Sequence, residues 1–534
     1  MDEKKILEFC IQRGVLLDKD ILNLLAQIDN VDIAKNLIEK VEYQFKEKII
    51  TKALFNKNLG KIGGIITGYQ GEEKKTLEKF FINLGLNIEI VREKLLIEKE
   101  ESEEREKIKE RDFGEIRIIN NEIVIKKLEV NDFVKNFRNR YTTLKNILQE
   151  RTELQNLVSI NRIGSGQVSI IGIVFNKKIT KNKNILLEIE DLTGRISALV
   201  NKNRIEVYEK AKEIVLDEVI GLKCSASSSG DIVFVNDLVF PDVFLAEEKK
   251  SKKDEAIAFI SDLHLGSKMF LEKNFLKFIE WINGSLGDEK TKKQALKIKY
   301  LLINGDSIDG VGIFPGQEPL LEIKDIKKQY ELLAEYLDRI RKDVKIILSP
   351  GQHDAVRVAE PQPIITEEFG MPLYKLENLF LVSNPCILEI GKEKFKILMY
   401  HGASMRHLVN EVDILRLGTG YDFPAEIVKY MLKKRHLAPI HSLSVYLPSE
   451  EDRLVIREVP DIITTGDLHK PEVSKHNNVL IICSSCWQSL TPFGEKVGKH
   501  PDPCKVPVLN LKTREIKILD FSDAEKSEDE KKKE

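Results

Sequence analysis

The second half of the chain repeats one design five times: an apolar run ends, and a residue able to bind metal follows at once. Ala256 to Ser261 leads into Asp262-Leu263-His264, and Tyr300 to Asn304 leads into Gly305-Asp306-Ser307-Ile308-Asp309. Lys345 to Ser349 leads into Pro350-Gly351-Gln352-His353-Asp354. Lys396 to Tyr400 leads into His401-Gly402, and Asp461 to Thr465 leads into Gly466-Asp467-Leu468-His469. Short apolar runs bounded by turn residues read as buried strands. Loops at the carboxyl ends of such strands converge on one crevice, which is where a sheet-based site needs its ligands. A single Asp-x-His fragment is more often structural. Five fragments in series, each behind a buried strand, require a fold that gathers them.

Ahead of this half the pattern changes. Residues 1–50 read as short amphipathic helices, with Ile6, Leu7, Phe9 and Cys10 on one face and Ile21, Leu22, Leu24 and Leu25 repeating the spacing. A helical docking module is the natural expectation. Residues 51–150 read as a flexible, charged linker region containing Gly60, Gly63, Gly64, Gly68 and Gly71, and the run EKEESEEREKIKER at 98–111. That run has no apolar stripe, so it reads as a linker or a solvated helix.

One apolar island interrupts the region at 74–81, KKTLEKFF. It resembles the sliding-clamp-binding peptide, with Leu77, Phe80 and Phe81 as the plug for a groove, although Lys74 stands where that pattern usually has Gln. A short helix packed on the protein's own surface is the other reading.

Residues 151–245 switch to a period of two. Strands are expected at Val168–Val174, Leu186–Asp191, Ile196–Val200, Val219–Cys224 and Ile232–Val235, with a helix at Ile205–Lys212. Five short strands and one helix suggest an OB-type barrel, which either binds a single strand or docks on its neighbour. Residues 246–255 are a charged linker, 256–521 form the largest domain, and 522–534 form a charged tail expected to be disordered.

A chain of 534 residues suggests roughly three or four units of ~100–200 residues. Lys and Arg total 84 against 86 Asp and Glu, so net charge does not advertise nucleic-acid binding, though a local basic channel is compatible with it. Six cysteines exclude a disulfide scaffold and fit a reducing compartment. The start, MDEKKILEFC, lacks the apolar core of a signal peptide, and no run of about 18 apolar residues occurs. The expectation is a cytoplasmic, multidomain protein without a membrane partner.

The five motifs resemble the calcineurin-like metallophosphoesterase superfamily, whose fold is a β-sandwich flanked by helices around two divalent metals. The resemblance implies an α/β phosphoesterase domain with Asp262, His264, Asp306 and His469 on one metal. Asp306 would bridge to a second metal held also by Gln352, His401 and Asp467. Mn²⁺ is the expected ion, with Fe²⁺ or Zn²⁺ as alternatives, because mixed His and carboxylate ligation suits these better than a purely oxygen-loving ion; Mg²⁺ is a further alternative. His353 would be catalytic, acting on the leaving oxygen, with Asp354 orienting its ring. Two positions depart from the superfamily, which has Asn where Gln352 stands and His where Asp467 stands.

Neighbouring residues narrow the resemblance: Gly310 to Gln317, Ala355-Val356-Arg357, Glu360 to Pro363, and Arg435 to Ile440. With a helical start and a barrel ahead of the phosphoesterase domain, the chain resembles the small subunits of archaeal family D DNA polymerases. These are related to the accessory B subunits of eukaryotic replicative polymerases, which have lost the metals. The resemblance implies a large polymerising partner, a DNA primer–template 3′ end as substrate, and 3′→5′ exonuclease proofreading. A scaffold subunit with a degenerate site and a free-standing phosphodiesterase are the competing readings. Arg357, Arg435 and His436 are candidate nucleic-acid contacts, His436 and His441 being equally readable as structural. Cys483-Ser484-Ser485-Cys486 reads as half a zinc site or as strand-end packing.

Overall fold

The computed structural model describes residues 2–26, 28, 31–45, 47–51, 54, 76, 77, 80, 115–119 and 128–523, apart from 228, 229, 246, 419, 442, 497 and 499. It divides into two compact units, Met1–Phe113 and Gly114–Glu534. The charged run at 98–111, Phe81 and the tail beyond 523 lie outside the described residues.

In the first unit, α1 (Asp2–Arg13), α2 (Lys19–Leu25) and α3 (Val31–Phe45) accompany a short parallel pair, β1 (Leu16–Leu17) with β2 (Ile49–Ile50). Ile6, Cys10, Ile21, Leu25, Leu37 and Val41 build its core, as their helical spacing predicts. Leu7 falls off that face and is 39% exposed. Leu77 and Phe80 are buried in the same core. Their apolar spacing is therefore accounted for by packing within this unit, and neither presents itself as a plug for a clamp.

The second unit corrects two boundaries. Residues 115–119 and 128–150 do not behave as linker: β3 (Ile116–Ile118) is a sheet strand, and α4 (Val130–Gln149) is a 20-residue helix. Tyr141, Leu144 and Leu148 of α4 pack against Leu154, Ile171, Val219 and Val455. Its apolar stripe is broken by buried Asn136 and Arg140, which hides it in the sequence. The described part of the expected linker, 247–255, is also tied down. Ser251 is buried and its N–H donates to Leu511 O at 2.9 Å, while Lys249 Nζ lies 2.8 Å from Asp461 Oδ2.

The five expected strands appear as β4 (Gly166–Ile179), β5 (Ile185–Asp191), β6 (Gly194–Val200), β7 (Val219–Ala226) and β8 (Ile232–Val239), with α5 (Ile205–Lys212) between β6 and β7. They close into a barrel in the order β4-β5-β6-β8-β7, with β6 and β8 parallel. Ile185, Leu187 and Ile189 alternate inward along β5, as do Ile196, Ala198 and Val200 along β6.

The last domain holds two six-stranded sheets among the described residues. The first runs β12 (Leu379–Leu381), β11 (Lys345–Ser349), β10 (Ile298–Asn304), β9 (Ala256–Ile260), β18 (Lys505–Asn510), β19 (Ile516–Asp520). The second runs β16 (Glu472–His476), β17 (Val479–Cys483), β15 (Ile462–Thr465), β14 (Phe395–Met399), β13 (Cys386–Ile390), β3. Alternate residues of β9 (Ala256, Ala258, Ile260) pack with Phe275 and Phe278 of α6 (Glu272–Ile282), while Ile257 and Phe259 are buried on the other face. Ile463 and Ile481 pack likewise with Val428 and Met431 of α7 (Pro424–Lys434). Burial on both faces explains why these strands read as continuous apolar runs.

Buried charge joins the barrel and α4 to the two-sheet domain. Lys434 Nζ lies 2.7 Å from Glu218 Oε2, and Arg140 Nε lies 2.7 Å from Asp452 Oδ2. No helix among the described residues is long and apolar enough to cross a membrane.

Candidate metal centre

The five motif loops leave β9, β10 and β11 of one sheet and β14 and β15 of the other, and all open at the same end. Asp262, His264, Asp306, Asp467 and His469 each sit in the left-handed region, with φ between 50° and 62°. Such φ values are uncommon outside glycine and cluster at functional sites. The backbone is also crowded. A Cβ at Gly305 would stand 2.2 Å from His401 Nδ1, and one at Gly351 would stand 2.2 Å from Asp306 Oδ1.

Three groups of side chains could hold a cation: Asp262 with His264 and His469; Asp262 with Asp306 and His401; and His264 with Asp306 and His353. His264 Nε2 and His469 Nε2 are 3.3 Å apart, and His469 Nε2 is 3.2 Å from Asp262 Oδ1. His401 Nε2 is 3.3 Å from Asp306 Oδ2. Asp262 Oδ1, Gln352 Oε1 and His401 Nε2 are buried without a hydrogen-bond partner. Buried polar atoms are rarely left so, and converging imidazole and carboxylate donors fit a divalent metal.

Neighbours fix the orientation of the rings. His401 Nδ1 is 2.7 Å from Asn304 O, which turns its Nε2 toward Asp306. His264 Nδ1 is 3.1 Å from Asp309 Oδ1, which turns its Nε2 toward His469. Gln317 and Gln488 hold Asp309 in turn, donating to its carboxylate at 3.1 and 3.2 Å. Partners of this kind fix ring tautomer and direction, and metal affinity depends on them. The spacing of Asp309 in the second motif is visible in the sequence, but its role depends on side chains from three other segments.

The charges are coupled. Burial alone would raise the Asp306 carboxyl, but His401 and His353 hold it well below the usual carboxylate range. Burial alone would lower the His401 ring, but Asp306 and Asp262 hold it well above its ordinary value.

Three expectations need correction. Asp354 does not orient His353. It accepts from Ser307 N, Ser307 Oγ, Gly351 N and Tyr330 OH, so it ties the second and third loops together. His353 instead sets Nδ1 2.9 Å from Asp309 O and lines the cleft. Arg435 and His436 are buried and serve the fold: Arg435 donates to Ile456 O and Arg457 O, and His436 pairs with Asp452 at 3.1 Å. Arg357 is turned to Ala359 O and Pro361 O. None of these three lines the cleft of about 350 Å³ above the metal groups. Cys483 and Cys486 join no metal group among the described residues, and Cys486 Sγ packs 3.3 Å from Gln488 O.

Asp467 is held from two sides: Arg406 Nε donates to its Oδ2 at 3.0 Å, and Gln352 Nε2 approaches its Oδ1 at 3.4 Å. Arg406 carries no signal in the sequence.

Two six-stranded sheets bring their polar residues to one end, and a small closed barrel precedes them. Residues 257–474 match the family model that describes the B subunits of DNA polymerases alpha and epsilon. The DNA polymerase II small subunit of Methanothermobacter thermautotrophicus is 40% identical over 397 residues, covering 74% of this chain and 80% of that protein. That of Archaeoglobus fulgidus is 35% identical over 493 residues, covering 91% and 97%. For the Pyrococcus furiosus relative the identity is 38% over 394 residues, covering 72% of this chain and 63% of that protein. The chain belongs to the family of archaeal DNA polymerase II small subunits. Among solved structures, an archaeal phosphodiesterase aligns over 49% of this chain and 98% of its own at 15% identity and a TM-score of 0.23, too low to define the fold.

Proposed function

We propose that the chain is the small subunit of a heteromeric replicative DNA polymerase, paired with a large polymerising subunit, and that it removes nucleotides from a primer 3′ end by metal-dependent hydrolysis. The convergence of Asp262, His264, His469, Asp306 and His401, with three buried donor atoms unpaired, carries this reading. A divalent ion, Mn²⁺ by preference, would supply Lewis acidity and an activated water there.

The chain's own residues do the rest. Asn304 and Asp309 aim the imidazoles of His401 and His264 inward. His353, anchored through Nδ1, offers Nε2 to the leaving O3′ and can hold or deliver its proton. The family membership supports the large partner and the primer–template, and a cytoplasmic setting accords with six unpaired cysteines among the described residues. The barrel's strand order, with a helix between its third and fourth strands, supports the OB-type assignment.

A non-catalytic scaffold is the second reading, favoured by the engagement of Asp467 with Arg406. A primer labelled at its 5′ end with a mismatched 3′ end separates the two. The purified chain, joined by its large subunit, should shorten the primer from the 3′ end in Mn²⁺ but not in chelator, and His353→Ala should lose the activity. A complex that polymerises yet never shortens the primer would leave the scaffold reading.

A further inference from the structure

Asp467 stands where the superfamily has a neutral histidine, and the added charge is already engaged. Arg406 donates from Nε to Asp467 Oδ2 at 3.0 Å and from Nη2 to Asp467 O at 2.7 Å. Gln352 reaches the other carboxylate oxygen with its Nε2 at 3.4 Å. Asp467 belongs to none of the metal-capable groups among the described residues. The three groups that fit a cation draw on Asp262, His264, His469, Asp306, His401 and His353, and the site expected for a second ion is compromised at Asp467.

Arg406 itself lines the cleft beside His353 and Gln352. It is the only Lys or Arg doing so among the described residues, in a cleft also lined by Asp306, Asp309 and Asp467. With Nε and Nη2 committed, its Nη1 makes no hydrogen bond among the described residues. A guanidinium fixed on one edge and open on the other is suited to a phosphate oxygen. A phosphodiester entering so acidic a cleft needs positive charge beyond one metal ion.

We infer that Arg406, locked by Asp467, is a phosphate-positioning residue that takes over part of the charge of the second metal, so that the chain retains one tightly held divalent ion. This rests on the phosphoesterase reading of the site. Gln352 fits the same arrangement, since its extra methylene carries the amide to Asp467.

The test uses the full-length chain loaded with Mn²⁺, desalted, and assayed for bound manganese and for binding of inorganic phosphate by calorimetry. The parent should retain one Mn²⁺ per chain, and Asp467→Asn should retain the same number. Changing Arg406 alone would strand a buried carboxylate, so Arg406→Gln is combined with Asp467→Asn. The double variant should keep its manganese and bind phosphate about tenfold more weakly, the loss expected for one charge-assisted hydrogen bond. Loss of an ion on Asp467→Asn, or unchanged phosphate affinity in the double variant, overturns the inference. Neither readout needs turnover. A chain that binds as described but never shortens a primer sinks the nuclease reading alone.

Discussion

The ring of His401 is held by the main chain of Asn304, with Nδ1 2.7 Å from that carbonyl oxygen. The Asn304 side chain works at the same junction, donating from Nδ2 to Tyr400 O and Thr464 O at 3.0 Å each. One residue at the end of β10 therefore pins β14 and β15 of the other sheet and sets the tautomer of His401. Asn304→Ala would strip a donor from two buried carbonyls. We expect a loss of about 2–3 kcal/mol in unfolding free energy by urea titration, together with weaker Mn²⁺ binding.

Asp309 should matter to metal affinity without touching the metal. Its carboxylate accepts from His264 Nδ1, which leaves Nε2 bare toward His469. An amide at this position can donate to Nδ1 and drive the proton onto Nε2. Asp309→Asn should weaken Mn²⁺ binding by about 10–100-fold, read by calorimetry, with little change in the melting temperature of the metal-free chain.

Arg140→Met tests the joint between α4 and the sandwich. Burial alone would raise the Asp452 carboxyl, but Arg140 and His436 more than offset this and hold it below the usual carboxylate range. Its folded-state pKa is thus depressed, so the stability it contributes is present above its unfolded value of 3.8 and lost as pH falls through the folded value. The variant should be less stable by about 3–5 kcal/mol at neutral pH, because it leaves a buried charge unpaired. The gap between parent and variant should narrow below about pH 4. A gap that does not change with pH would mean the loss is one of packing.

The Lys434–Glu218 pair makes a sharper test of how barrel and sandwich are joined. Both side chains are fully buried or nearly so, at 0% and 2% exposure. Lys434→Met should cost about 3–5 kcal/mol, and Lys434→Met with Glu218→Gln should cost markedly less. A double-variant loss equal to the sum of the Lys434→Met and Glu218→Gln losses would show that the two charges are not coupled.

The strands and the ligand loops are legible because each is local: an apolar run followed within a few residues by Asp, His or Gln. The barrel is legible for the same reason, its alternation surviving in every strand. What escapes the sequence depends on distant partners. Arg140 looks like a break in a stripe until Asp452, more than three hundred residues away, is placed beside it. Arg435 and His436 look like substrate contacts until they are found buried against Ile456 O and Asp452. Arg406 and Asp467 belong to different segments, and nothing in either reveals the other. The apolar spacing of Leu77 and Phe80 reads as a helical face, but both side chains turn inward.

The left-handed backbone at Asp262, His264, Asp306, Asp467 and His469 has a consequence for how such a subunit can change over time. Each of these conformations costs about 1 kcal/mol or more unless glycine adopts it. Each carboxylate among them is also taken out of water. Glycine at any of the five would relax the backbone and remove a cleft side chain in the same step, so at these positions firmness of the backbone and the donor set of the cleft trade against each other.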